Sequence, residues 1–130
     1  TGAAHLVRAA LEAMAYQTKE VLNLMQEEAG LSLGNLRVDG GVTRSKFLSQ
    51  FLASLLNLPI QRTDDPELTA KGAGYLAGLA VGFWDSPEAI LALPETLETV
   101  APKPEFTDGM RACLMAGWHG AIQKTVQKSS

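Results

Sequence analysis

The sequence predicts an α/β fold of two parallel strands with several helices, and three observations lead there. A long stretch at the start repeats its apolar residues with a helical period. Two short apolar runs, Leu36–Val38 and Leu58–Arg62, each stop at turn-forming residues. Between them lies another helical stretch on short connections, and a strand–helix–strand unit of that kind closes as a right-handed parallel crossover.

Taken in order, the first helix is expected from about Ala4 to Glu28. Val7, Leu11, Met14, Thr18, Val21, Leu22 and Met25 form its apolar stripe, Arg8, Glu12, Lys19 and Glu20 fall between them, and Gly30 ends it. The first strand, Leu36 to Val38, stops at Asp39-Gly40-Gly41. A second helix runs from about Arg44 to Asn57 with Thr43 as its cap and Phe47, Leu48, Phe51, Leu52, Leu55 and Leu56 facing inward. The second strand, Leu58 to Arg62, leads into Asp64-Asp65-Pro66-Glu67, which offers a cap, a proline at the first helical position and an acid in the first turn of a helix reaching about Gly82. Asp85-Ser86-Pro87-Glu88 starts a short helix to Leu93. Pro94 to Thr107 holds Pro94, Pro102 and Pro104 without a clear period and reads as a surface loop, and a last helix covers Asp108 to Gln127. Parallel strands normally have partners on both sides. Two strands are few for a whole sheet, so the 130 residues read as part of one domain.

Composition narrows the function. Hydrophobic residues make up 46% and charged residues 19%, ordinary for a globular chain. A net charge of -3 with scattered Lys and Arg gives no footprint for nucleic acid or an anionic membrane. Arg8 and Glu12 interrupt the opening apolar residues and argue against a signal peptide or membrane span. The single cysteine, Cys113, rules out an internal disulfide framework and a cysteine-based zinc cluster, and a cytoplasmic protein is the expectation. His5 and His119 have no partners at ligand spacing, and no serine lies in a nucleophile elbow.

The chemistry concentrates at Asp39-Gly40-Gly41, after a strand and before a helix. Ligands of open α/β sheets gather at strand C-termini, and the next helix presents unpaired N–H groups there. Glycines let the backbone turn sharply and let a flat ligand lie against it. The same pair can also serve as a tight turn alone, and the tripeptide lacks the spacing of a dinucleotide fingerprint or a P-loop. Ala70, Gly74, Gly78 and Gly82 recur every fourth residue in the third helix, which predicts close approach of another element, because each glycine costs a helix about 1 kcal/mol against alanine.

Several strings together carry a resemblance: HLVRAALEAMAYQTKEVL from His5 to Leu22, LRVDGG, FLSQFLASLLNLPIQR, ELTAKGAGYLAGLAVGFW, and Ala116-Gly117-Trp118. In this order they resemble the C-terminal domain of glycerol kinases, within the carbohydrate kinases of the actin-like ATPase (ribonuclease H-like) fold, and the likeness extends over nearly the whole chain. It implies that residues 1–130 are the C-terminal portion of an adenosine-binding domain. It also implies that Asp39, Gly40, Gly41 and Ser45 lie at the adenine and ribose of ATP or ADP. Relatives often carry asparagine where Ser45 stands, and serine reaches less far and has no amide.

Other consequences of the resemblance concern what lies upstream in such kinases. The phosphate-binding loops, the catalytic aspartate and the glycerol-binding groups are placed there, so this chain alone is expected to be inactive and to contribute no catalytic residue and no metal ligand. The parent reaction would move the γ-phosphoryl of ATP, as its Mg2+ complex, to glycerol, giving glycerol 3-phosphate. A related sugar kinase such as a xylulokinase, or a non-catalytic nucleotide-binding or assembly module, are the alternatives. The remaining strands of the larger sheet would also lie upstream, leaving Leu36–Val38 as an unpaired edge, so self-association or marginal stability of the isolated chain is expected, with a homo-oligomer as the assembly.

Overall fold

The computed structural model describes residues 1–40, 44–63 and 67–127. Its elements are α1 (Ala3–Ala29), β1 (Leu36–Val38), α2 (Lys46–Leu56), β2 (Ile60–Thr63), α3 (Leu68–Ala80), α4 (Pro87–Leu91), β3 (Leu97–Val100) and α5 (Asp108–Gln127). The sheet has the order β1-β2-β3, with β1 and β2 parallel as the crossover requires. β3 runs antiparallel to β2 and lies within the segment expected to be a loop. That correction has a non-local cause. Four residues between prolines show no period of their own, and they become a strand because β2 offers them a ladder from Ile60↔Val100 to Thr63↔Leu97. Arg62 ties the pair from the side, its Nε donating to Glu98 Oε2 at 2.8 Å.

Strand alternation sets Leu36, Val38, Ile60 and Val100 on the sheet face under α2. α2 buries Leu48, Phe51, Leu52 and Leu55 there, while Phe47 remains partly exposed. α1 crosses the outer side of α2 and covers it with Ala15 and Tyr16. α5 adds Met115, Leu114 and Trp118. Aromatic rings lock the junction: Tyr16 stands edge-on to Phe51 at 5.7 Å and stacks on Trp118 at 5.4 Å.

The expected stripe along α1 is corrected in part. Leu11 packs against the core, but Val7, Met14, Val21 and Met25 are exposed, because only the middle of this helix is covered by α2 and α5. Gly30 ends α1 as anticipated, in the left-handed region at φ 65 with its N–H on Gln26 O. In α3, close approach occurs at Gly78 alone among the expected glycines: an added Cβ would stand 2.3 Å from Trp84 Cζ3, whereas Gly74 faces open space. Gly82, at φ 74, lies past the helix end. The Phe83 N–H reaches Gly78 O at 2.8 Å and the Gly82 N–H reaches Leu79 O at 3.2 Å, the paired bonds of a Schellman stop. α3 begins at Leu68 with Glu67 in the cap position rather than the first turn. The anticipated capping residues Asp64, Asp65 and Pro66 lie outside the described residues.

Burial has an electrostatic consequence at Tyr16. Its hydroxyl donates to Glu12 Oε2 at 3.2 Å. Burial first, then the Glu12 charge, pushes its pKa up to about 12. Between pH 10 and 12 the unfolded chain ionises this phenol while the folded chain keeps its proton, so the folded state binds more protons and stability falls as pH rises. We expect a loss of about 1.5 to 2 kcal/mol between pH 9.5 and 11.5, beyond any loss in Tyr16→Phe, in urea unfolding at those two pH values. Equal slopes for both proteins would show that the phenol ionises as freely in the fold as outside it.

Candidate functional site

β1 and β2 run side by side with Val38 opposite Arg62, so the chain leaves both strands at the same end of the sheet. Asp39 and Gly40 follow β1 there, and both are exposed. Gly40 has φ 93, in the region that side chains disfavour, although a Cβ would meet nothing within 4 Å. The requirement for glycine is thus one of backbone conformation and not of space. Gly41, with Val42 and Thr43, lies outside the described residues.

The chain then enters α2 through Ser45, which takes the capping role expected of Thr43. Its backbone is extended, at φ -70 and ψ 107, and its Oγ accepts the Leu48 N–H at 3.2 Å. This satisfies one of the N–H groups that a helix start leaves without partners. Ser45 is half-buried, and its neighbours Arg44 and Lys46 are exposed. The structure therefore places Asp39, Gly40 and Ser45 around one strand-to-helix connection, where the positive end of the α2 dipole adds to the cationic side chains. The N-terminal half of α1 reaches the same end. Arg8 lies over the Phe47 ring at 5.3 Å and pairs with Glu12 at 2.7 Å.

Sequence reasoning did not foresee that the Ser45 hydroxyl would be engaged by its own helix. Serine and threonine are both accepted caps, with serine somewhat the better, and which of the two caps depends on where α2 begins. Nor did it foresee Arg62, whose buried guanidinium sits at the end of β2, locked to Glu98.

Chemically, the connection can bind and orient. Among the described residues no group of three or more His, Cys, Asp or Glu side chains could hold a metal ion. The histidines lie apart: His5 Nδ1 accepts the Gly2 N–H at 3.3 Å, and His119 Nε2 is 2.8 Å from Glu20 Oε1. A groove of about 350 Å³ between α1 and α5 is lined by Glu12, Tyr16, Cys113, Leu114, Trp118 and small residues, and Asp39, Gly40 and Ser45 are not among its lining. No helix among the described residues is long and apolar enough to cross a membrane.

Comparison with known proteins gives three findings. Residues 1–81 match the C-terminal domain of the FGGY family of carbohydrate kinases. A glycerol kinase of Stenotrophomonas maltophilia is 49% identical over 129 residues, covering 97% of this chain and 25% of that protein. Among solved structures, Plasmodium falciparum glycerol kinase with ADP superposes with a TM-score of 0.72 at 33% identity, covering 93% of this chain and 24% of the other. Xylulose kinase from Rhodospirillum rubrum gives 0.70 at 26%, covering 95% and 25%. The chain spans about a quarter of the length of the curated relatives it matches.

Proposed function

Because the chain belongs to the FGGY family of carbohydrate kinases, we propose that it forms the adenosine-binding part of an ATP-dependent glycerol kinase. Asp39, Gly40, Gly41 and Ser45 would meet the nucleoside. One observation carries the reading. The Asp39-Gly40 turn leaves β1 directly before the α2 N-terminus, in a chain that superposes on a glycerol kinase solved with ADP. A turn without a Cβ at Gly40 lets the flat base or ribose approach the backbone. Asp39 offers a carboxylate to the ribose hydroxyls.

In the parent reaction the bond between the γ-phosphorus and the β–γ bridging oxygen breaks. A new bond forms from phosphorus to a terminal oxygen of glycerol, and the hydroxyl proton leaves to a base. The base, the acceptor site and the Mg2+ ligands are assigned to the remainder of such an enzyme, so no step is assigned to this chain beyond holding the nucleoside. Glycerol is favoured over xylulose because the sequence relatives at 44–49% identity are glycerol kinases, while the xylulose kinase structure is 26% identical. A cytoplasmic homo-oligomer completes the reading. Among the described residues β1 pairs with β2 alone, which leaves its other edge open to a further strand.

The test is titration of the isotopically labelled chain with ADP. We expect chemical-shift changes centred on Gly40 and Ser45, and about tenfold or greater weakening in Asp39→Asn, the loss typical of a charged hydrogen bond. A coupled assay of the chain with ATP and glycerol should show no turnover. A folded spectrum without shifts would reject the adenosine reading, and measurable turnover would reject the division of roles.

A further inference from the structure

α1 carries apolar residues on two sides. Leu11, Ala15 and Tyr16 belong to the core that α2 and α5 complete. On the opposite side of the helix a second set recurs in alternating steps of three and four residues: Val7, Ala10, Met14, Gln17, Val21 and Leu24, every one exposed. That spacing is the a/d seam of a coiled coil, interrupted only by Gln17. It runs about 26 Å along the helix. A helix that is apolar on both sides is normally covered on both.

The ends of α1 decide what fits this seam. The helix has no acid in its first turn and no base in its last. It closes on Glu27 and Glu28, at the negative end of its own dipole. A second copy laid antiparallel answers both defects. Val7 then meets Leu24 of the second copy, Ala10 meets Val21, Met14 meets Gln17, and Glu28 comes beside Ala3 at the positive end of the other helix. Each pairing sets one seam position against the other kind, and the contact is self-complementary, as a two-fold interface must be. A parallel pair would instead set Glu28 against Glu28 and bring the two negative ends together. Resting on the homo-oligomer of the reading above, we infer that two copies of this chain associate through an antiparallel pair of α1 helices, a contact that leaves the β1 edge unused. About five helical turns make a small interface, so the dimer is weak and forms in a concentration-dependent way.

Sedimentation equilibrium of the 130-residue chain over a concentration series tests this. The mass should rise towards twice that of the monomer. Val21→Glu should weaken association about tenfold or more, because each dimer would bury that carboxylate twice without a partner. Leu76→Glu, on the equally exposed surface of α3, should leave association unchanged. Orientation is read by cross-linking in a Cys113→Ser background, since Cys113 is exposed. Chains with Ala10→Cys mixed with chains with Val21→Cys should join by a disulfide on mild oxidation. Neither variant alone should do so, because the two copies of either position lie about 17 Å apart along an antiparallel pair. Cross-linking within one variant alone would mean parallel helices and overturn the inference, as would its absence from the mixture. Association that persists in Val21→Glu, or that Leu76→Glu abolishes, would place the contact elsewhere, so that the inference falls while the homo-oligomer stands. A monomer at every concentration would overturn both, and binding of ADP by that monomer would leave the nucleotide reading intact.

Discussion

Replacing Leu55 by alanine is expected to lower the unfolding free energy by about 3 to 5 kcal/mol. Leu55 is 0% exposed, and it ranks with Ile60 among the largest fully buried side chains. It lies on α2, the helix that packs against α1, β2 and β3, so a hole there borders every layer of the core. The large effect follows from what surrounds it. The neighbours Leu52, Phe51 and Ile60 are held by a sheet on one side and α1 on the other, and a site enclosed on both sides cannot collapse into the cavity. Leu76→Ala on α3 makes the natural control, because Leu76 is 70% exposed and its truncation should change stability by less than about 0.5 kcal/mol. Urea unfolding followed by circular dichroism measures both. A Leu55→Ala loss below about 1 kcal/mol would mean that the core is not centred on α2.

The contrast between those leucines shows what the sequence could reveal. Local signals were legible. Gly30 stops α1 with a left-handed turn, the spacing of Asp108–Gln127 gives α5, and Ser86-Pro87-Glu88 opens α4 with a cap, a proline at the start and an acid in the first turn. Non-local ones were not. Val7 and Val21 fit the helical stripe of α1 as well as Leu11 does, yet they are 61% and 57% exposed, because burial depends on where α2 and α5 touch that helix. β3 was invisible for a related reason. Leu97-Glu98-Thr99-Val100 alternates weakly and sits among prolines, although Thr99 and Val100 are strand formers, and pairing with β2 makes the strand. At the candidate site, the Asp39-Gly40 turn was legible because only glycine readily takes φ 93. The engagement of Ser45 was not, since it depends on the residue at which α2 begins.

Arg111→Ala should destabilise the chain by about 2 to 4 kcal/mol, chiefly through helix-end carbonyls rather than through an ion pair. The last turn of any helix leaves carbonyls without intrahelical partners, and it carries the negative end of the dipole. In α2 those groups are taken by cations from two other helices. Arg111 Nε donates to Ser54 O at 2.7 Å, an Arg111 amino group donates to Asn57 Oδ1 at 3.1 Å, and Lys19 Nζ donates to Leu55 O at 3.1 Å. Asp108 also pairs with Arg111 at 2.6 Å, but that carboxylate side chain is 95% exposed, while the guanidinium is 12% exposed. Water screens a pair of that kind, so Asp108→Ala should cost less than about 0.5 kcal/mol. The two cations also repel one another. Burial first and Arg111 second lower the Lys19 pKa, and removing Arg111 should therefore raise it towards its ordinary value. This shift separates the model from simple loss of packing, because truncating an uncharged neighbour would leave Lys19 without that relief. NMR titration of the Lys19 side chain in Arg111→Ala, beside urea unfolding in low and high salt, decides the matter. A stability loss that disappears in high salt would assign the effect to the Asp108 pair. A salt-independent loss with a raised Lys19 pKa would show that α1 and α5 are joined through the end of α2, so that the same helix is held at its C-terminus by two cations and offers its N-terminus to the candidate ligand.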